Sequence, residues 1–232
     1  LGIARFVLKT LPGISRPAIC GTMPSIGKTT KLLDLGANVD CSSQDLLSFA
    51  IMGSVLSEFT AEISLPTVAL LNIGEEETKG NEQIKRASEI LEKSTLNYVG
   101  YVEGDDIFKG SVDVIVCDGF VGNVALKASE GVAKMLSQVA KEEYRKSLIM
   151  KISGLFSLAV LSKLRNRVDP RRYNGASLLG LKGTVVKSHG SADALSFARA
   201  VEVAISESRQ KIPNKIGALL DKAKKISPCE GP

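Results

Sequence analysis

The stretch Val112–Val139, VDVIVCDGFVGNVALKASEGVAKMLSQV, changes its apolar period partway along, and that change constrains the fold more than any other feature of the chain. Val112, Val114, Ile115 and Val116 form a short β-branched run suited to a strand buried on both faces. Beyond Asp118-Gly119-Phe120-Val121-Gly122, apolar residues recur at Val124, Ala128, Val132, Met135 and Val139, which is helical spacing. A buried strand, a glycine-bearing turn and an amphipathic helix make half of a β-α-β unit, and the open amides of such a helix's first turn favour an anion. Lys127 lies in the opening part of that helix. For any single loop of this kind the plainer reading, a tight turn in which glycine only serves the backbone, is the stronger one. The argument therefore depends on repetition.

The pattern repeats. Lys31–Leu35 leads through Gly36-Ala37-Asn38-Val39-Asp40 to a helix opened by Ser42, with Asp45 three residues on as a capping box, and carried by Leu47, Ile51, Val55 and Phe59. Thr67–Leu71 leads through a loop over 72–81 to a helix with Ile84, Ala87 and Leu91 on one face, and Leu96–Val102 reads as a further strand. The last unit begins at Tyr173-Asn174-Gly175-Ala176 and runs through Gly183 into a strand over Thr184–Lys187. The turn Ser188-His189-Gly190-Ser191 then opens a helix capped by Ser191, with Leu195, Ala198, Val201 and Ile205 on its inner side. This alternation predicts one α/β domain over residues 1–232, a mostly parallel sheet covered on both faces in three α/β/α layers, with the strand-to-helix loops along one edge.

At the amino end Ile3, Val7 and Leu11 keep helical spacing with no capping residue ahead of them, so the chain reads as one shortened at its amino end. Pro12-Gly13 ends that helix, and Arg16–Cys20 reads as a short strand. The loop GTMPSIGKTT imitates a P-loop, but five residues separate Gly21 from Gly27 and a strand-like run follows it, so spacing and context both fail. Lys28 remains only a possible surface cation. From Lys222 the tail is polar and is expected to fray.

Between Tyr144 and Val168 no residue is acidic, while Arg145, Lys146, Lys151, Lys163, Arg165 and Arg167 flank the apolar Ile152–Leu161. A basic helical insertion over 141–172, amphipathic and protruding, is expected there, with Lys151, Leu155, Phe156, Leu158, Lys163, Arg165 and Arg167 as contact residues. An interfacial membrane contact and a hairpin packed in a dimer interface fit it equally.

No apolar run reaches the roughly 20 residues that span a bilayer. The four cysteines form no CxxC and there is one histidine, which argues against structural zinc and for free thiols in a cytosolic setting. The net charge of +5 suggests acidic partners, but tryptophan is absent and aromatics make up 5%, so a base-stacking nucleic-acid surface is not expected. No G-x-S-x-G or G-x-G-x-x-G occurs, and Cys117 ends a buried run and reads as packing. The glutamates 75–77 read as a solvated turn rather than metal ligands. The loop edge carries Asn38, Gly74, Lys79, Gly119, Gly122, Asn123 and Lys127, and by the same reasoning Lys182, Lys187, His189, Gly190 and Ser191. Phosphate or a phosphoryl-bearing ligand is the physical reading, with no cofactor called for.

LLDLGANVDC (Leu32–Cys41), LLNIGEEETKGN (Leu70–Asn81), CDGFVGNVALK (Cys117–Lys127) and YNGASLLGLKGTVVKSHGSAD (Tyr173–Asp193) together resemble the bacterial phosphate acyltransferases of the PlsX type. The resemblance covers nearly all of the chain and lacks about the first third of the family sequence. It implies transfer of a long-chain acyl group from acyl carrier protein to inorganic phosphate, a reaction for which Lys187, His189 and Asn123 are the catalytic candidates. The product would be acyl phosphate, the donor for a downstream glycerol-3-phosphate acyltransferase. It also implies a fold akin to the isocitrate and isopropylmalate dehydrogenases, a homodimer, and a cytoplasmic protein held peripherally at the inner face of the membrane. A phosphotransacetylase-like enzyme using coenzyme A, or a non-catalytic remnant that binds carrier protein or membrane, are the alternatives.

Overall fold

Seven strands share one sheet in the computed structural model, which describes residues 2–226. In chain order the elements are α1 (Gly2–Leu8), β1 (Ala18–Pro24), β2 (Thr29–Leu33), α2 (Ser43–Thr60), β3 (Thr67–Leu71), α3 (Glu82–Glu92), β4 (Asn97–Val102), β5 (Val114–Val116), α4 (Gly119–Arg145), α5 (Leu148–Val168), β6 (Ala176–Leu179), β7 (Val186–Lys187), α6 (Ala194–Arg209) and α7 (Ile212–Ile226). Single 3₁₀ turns at Asp106–Phe108 and Pro170–Tyr173 precede β5 and β6.

The sheet order is β4-β3-β5-β2-β1-β6-β7, and the sheet is mixed rather than mostly parallel. β4, β3, β5 and β2 pair in parallel, whereas β2 with β1, β1 with β6 and β6 with β7 pair antiparallel. Connection length explains the difference. A parallel pair needs a crossover of a dozen or more residues, and only short turns join Pro24 to Thr29 and Leu179 to Val186. GTMPSIGKTT is thus the tip of a hairpin, with Gly21–Pro24 and Thr29–Thr30 inside its strands. Lys28 at that tip pairs with the buried Asp113 at 2.5 Å.

Both faces of the sheet are covered, unevenly. On one, Leu33, Val68, Leu70, Val114, Val116 and Leu179 pack against α2, α3 and α7. On the other, Leu32, Ala69, Leu71, Ile115, Cys117 and Leu178 meet Ala4 and Leu8 of α1 and Ala125 and Leu126 of α4. α2 is the central helix. Leu46, Phe49, Ala50 and Met52 are fully buried, and the expected capping box is present, with Ser42 Oγ accepting from the Asp45 amide and Asp45 from the Ser42 amide.

Three helices depart from expectation. α4 begins at Gly119, not beyond Gly122, because Asp118 caps it by accepting from the Val121 amide at 2.8 Å. It runs on as one helix through residue 141, so the insertion starts inside it. Its apolar stripe is exposed, with Val124, Val132, Met135 and Val139 all uncovered, since only the first two turns reach the sheet. α6 turns its other side inward. Ser196, Ala200 and Glu207 are buried while Leu195, Val201 and Ile205 face out, and its cap is Asp193 rather than Ser191. α7 holds residues 222–226 in helix, and 227–232 lie outside the described residues.

Candidate functional site

The C-terminal ends of β2, β3 and β5 define an upper edge, and its centre is built around a residue that motif spacing did not single out. Asp34, fully buried at the end of β2, accepts hydrogen bonds from the amides of Ile19 (2.9 Å), Ala37 (3.1 Å) and Asn38 (2.7 Å) and from Asn38 Nδ2 (2.8 Å). Hydrogen bonds to a charged group contribute about 1.5–3 kcal/mol each, so this carboxylate ties the start of β1 to the loop after β2. The available signal was the polar end of an apolar strand in LLDLG.

That network changes the meaning of the neighbouring candidates. Asn38 donates its two side-chain amide protons to Asp34 and to Pro17 O (2.8 Å), which leaves it no spare side-chain donor for a ligand. Gly119 donates its amide to Asn38 O at 2.7 Å. A Cβ on Gly122 would lie 1.9 Å from Asp34 O, and one on Gly119 2.5 Å from Asn38 O. These glycines allow the first turn of α4 to seat on the loop after β2. With the Gly119, Val121 and Gly122 amides all engaged within the protein, that turn is not an open anion cradle.

Asn123 and Lys127, exposed one turn apart on α4, do face outward at this edge; Lys127 is paired with Glu130 at 2.9 Å. In the loop after β3, Gly74 is buried beneath the side chains of Glu76 and Lys79, while Lys79 and glutamates 75–77 are exposed. Lys182 follows the end of β6 at the same edge, because β6 is antiparallel to β1 and so runs in the direction of β2; its amide donates to Lys9 O (3.1 Å).

Lys187, His189, Gly190 and Ser191 are elsewhere. β7 runs antiparallel to β6, so the turn after it leaves toward the lower edge. Three strands stand between β7 and β5, about 19 Å across the sheet at roughly 4.8 Å per strand. Within one chain, His189 and Asn123 do not converge on one phosphate. The lower turn has an order of its own. The Ser191 amide donates to His189 Nδ1 (3.2 Å), which places the proton of a neutral ring on Nε2. Asn174 Oδ1 accepts from the His189 amide (3.0 Å), and Asn174 Nδ2 donates to Ser188 Oγ (2.9 Å) and Ser196 O (2.7 Å). Arg171 bridges Asp169 and Asp193. Asp193 is held at about 2 by the Ser196 amide and hydroxyl and by Arg171.

Burial pushes Cys20 and Cys41 up to about 12 and Cys117 well above the ordinary thiol range, so none of these three offers a thiolate at neutral pH. α4 and α5 run as a helical hairpin, and apolar residues emerge on all sides of α5: Leu155, Leu158 and Phe156 are exposed, Phe156 at 85%. Lys151, Lys163 and Arg167 are exposed on it, and Arg165 lies on the same helix. No helix among the described residues is long and apolar enough to cross a membrane.

The family described as "Fatty acid synthesis protein" matches residues 1–215. The chain belongs to that family. Among fatty acid synthesis proteins, the phosphate acyltransferase of Methylococcus capsulatus is 59% identical over 217 residues, covering 94% of this chain and 64% of the relative. That of Alkalilimnicola ehrlichii is 58% identical over 221 residues, covering 95% and 65%. The chain therefore spans just under two thirds of the length of these curated relatives. Among solved structures, a branched-chain phosphotransacylase from Enterococcus faecalis V583 aligns with a TM-score of 0.49 at 14% identity, covering 83% of this chain and 64% of that one.

Proposed function

We propose that this chain carries the phosphate-handling part of a phosphate acyltransferase that moves a long-chain acyl group from acyl carrier protein to inorganic phosphate. The observation that carries the reading is the 59% identity to a phosphate acyltransferase over 94% of the chain. The high thiol pKa values support it, because a reaction whose nucleophile is the substrate needs no activated side chain. A phosphate oxygen attacks the thioester carbon, the carbonyl oxygen becomes an oxyanion, the C–S bond breaks, and the departing thiolate takes a proton. What the protein must supply is orientation and positive charge.

Asn123, Lys127 and Lys79 are assigned to phosphate and the oxyanion, since they are exposed at the upper edge. His189, with its proton on Nε2, and Lys187 are assigned to the leaving thiolate. They act on the same substrate only if a second copy brings its lower edge to the upper edge of the first, as a homodimer would. The basic surface suits an acidic carrier protein, and the apolar hairpin suits a partner subunit or the inner face of the cytoplasmic membrane. There the acyl phosphate would pass to a glycerol-3-phosphate acyltransferase.

The test is hydroxylamine-trapped acyl phosphate formed from palmitoyl carrier protein and phosphate. Lys127→Ala and His189→Gln should each lower turnover about 10²-fold or more, by analogy with loss of one oxyanion donor. Unchanged turnover in both would remove these residues from the mechanism.

A further inference from the structure

The seam between the ends of α4 and α5 carries a shallow, open groove of about 340 Å³, at the lower end of the roughly 300–1,000 Å³ typical of ligand pockets. Spacing makes it. Lys141, Tyr144 and Arg145 fall on one face of α4, and Lys151, Gly154, Leu155, Leu158 and Leu161 on one face of α5. Gly154 sets the depth: a Cβ there would stand 2.9 Å from Tyr144 Cδ1, so its absence lets the tyrosine ring lie against the α5 backbone. The leucines form an apolar wall, with Leu155 and Leu158 exposed although their neighbours are helical and ordered against one another.

The rim has one sign. Lys141, Arg145 and Lys151 make no ion pair among the described residues. The carboxylates next in sequence are otherwise engaged, Glu142 with Gln138 at 2.6 Å and Glu143 with Lys146 at 2.5 Å. Three unpaired cations beside an apolar trough fit a single-tailed molecule with a compact, multiply charged anionic head.

We infer that this groove is a binding site for a long-chain amphiphile with a phosphate head, with Arg145, Lys141 and Lys151 holding the head and Leu155, Leu158 and Leu161 the tail. The identity of that amphiphile as the acyl phosphate product rests on the acyltransferase reading; the site itself does not. A groove of this kind would retain the product on the hairpin rather than release a hydrolysable anhydride into water.

The experiment is calorimetric titration of the intact chain with dodecyl phosphate below its micelle-forming concentration. One saturable site per chain is expected, with dodecyl maltoside binding far more weakly. Arg145→Ala and Lys151→Ala should each raise Kd about tenfold, as for loss of a charged hydrogen-bond partner. Arg145→Lys should restore most of the affinity, and circular dichroism should show the helices intact in all three. Equal binding of the neutral amphiphile would overturn the inference. So would binding only to phosphatidylglycerol vesicles, which would make the hairpin a membrane-surface contact. Saturable binding in a chain without turnover supports the groove and overturns the reaction; turnover without a saturable site overturns the groove alone.

Discussion

α2 and the α4–α5 hairpin are both rich in apolar residues, yet one is buried along most of its length and the other almost nowhere. Over α2, Leu46, Phe49, Ala50 and Met52 lose all contact with solvent, because the helix lies between the sheet, α3 and α7. Along α4 only Gly119 and Gly122 are buried, and α5 exposes apolar residues all round. Composition alone does not decide which helix becomes core. What decides it is whether a connection is short enough to fold the helix back onto the sheet. α4 instead overshoots the sheet edge by several turns, and α5 returns along it. The hairpin is therefore a part of the chain whose stability depends on something that it meets.

Glycines give the sharpest way to break the comparison. Gly122→Ala forces a methyl into the Asp34 carbonyl and should cost more than about 3 kcal/mol in urea unfolding, the range of severe overpacking. Gly131→Ala, with nothing within 4 Å, should stabilise by about 0.5–1 kcal/mol through helix propensity. A loss at both positions would mean that the hairpin is packed as tightly as the domain. Phenylalanines follow. Phe49→Ala should cost about 3–5 kcal/mol, and Phe156→Ala within about 0.5 kcal/mol of nothing.

Acidity separates the regions more finely. Burial raises Glu207, against the opposing bond from Ser177 and the nearby Lys31, so the folded chain keeps that proton to higher pH than the unfolded one. Its contribution is full below the unfolded value near 4.5 and is lost as pH rises through the folded value. Burial also raises Asp113, but bonds from Lys28 and Thr67 outweigh it and the net shift is downward. Its contribution is present above about 3.8 and is lost as pH falls through the folded value. Unfolding measured from pH 3 to 8 should show Glu207→Gln flattening the neutral side and Asp113→Asn the acid side. A Glu207→Gln profile identical to the parent would refute the first assignment. Helix starts separate the regions as well. Ser42→Ala should cost about 1 kcal/mol through loss of the cap, and Ser147→Ala less, since that exposed bond to the Met150 amide is already long at 3.2 Å.

The parallel half of the sheet was legible because helical and strand periods alternate cleanly through β2, α2, β3, α3 and β5. The antiparallel half was not. β6 is four residues among glycines, too short to announce itself, and without it the β7 strand takes the wrong direction and carries His189 to the wrong edge. Local chemistry was read well at Ser42, whose cap is settled by neighbours in sequence, and Cys117 was read as packing from the apolar run that it ends. Gly119, Gly122 and Asn38 were recognised as special, but their roles depend on Asp34, which reaches them only once β1, β2 and β5 lie side by side. The inward face of α6 was missed because Ser196 and Glu207, polar residues, occupy it.

The Asp34 carboxylate amounts to a ligand that the protein carries within itself. A cluster of amides able to receive an anion exists at the β2–β5 junction, and evolution has filled it from the chain. Shortened to glycine, position 34 would leave a vacancy of about the dimensions of acetate, ringed by the Ile19, Ala37 and Asn38 amides. With its own carboxylate in place, the junction leaves those three amides no capacity to receive an anion from solution.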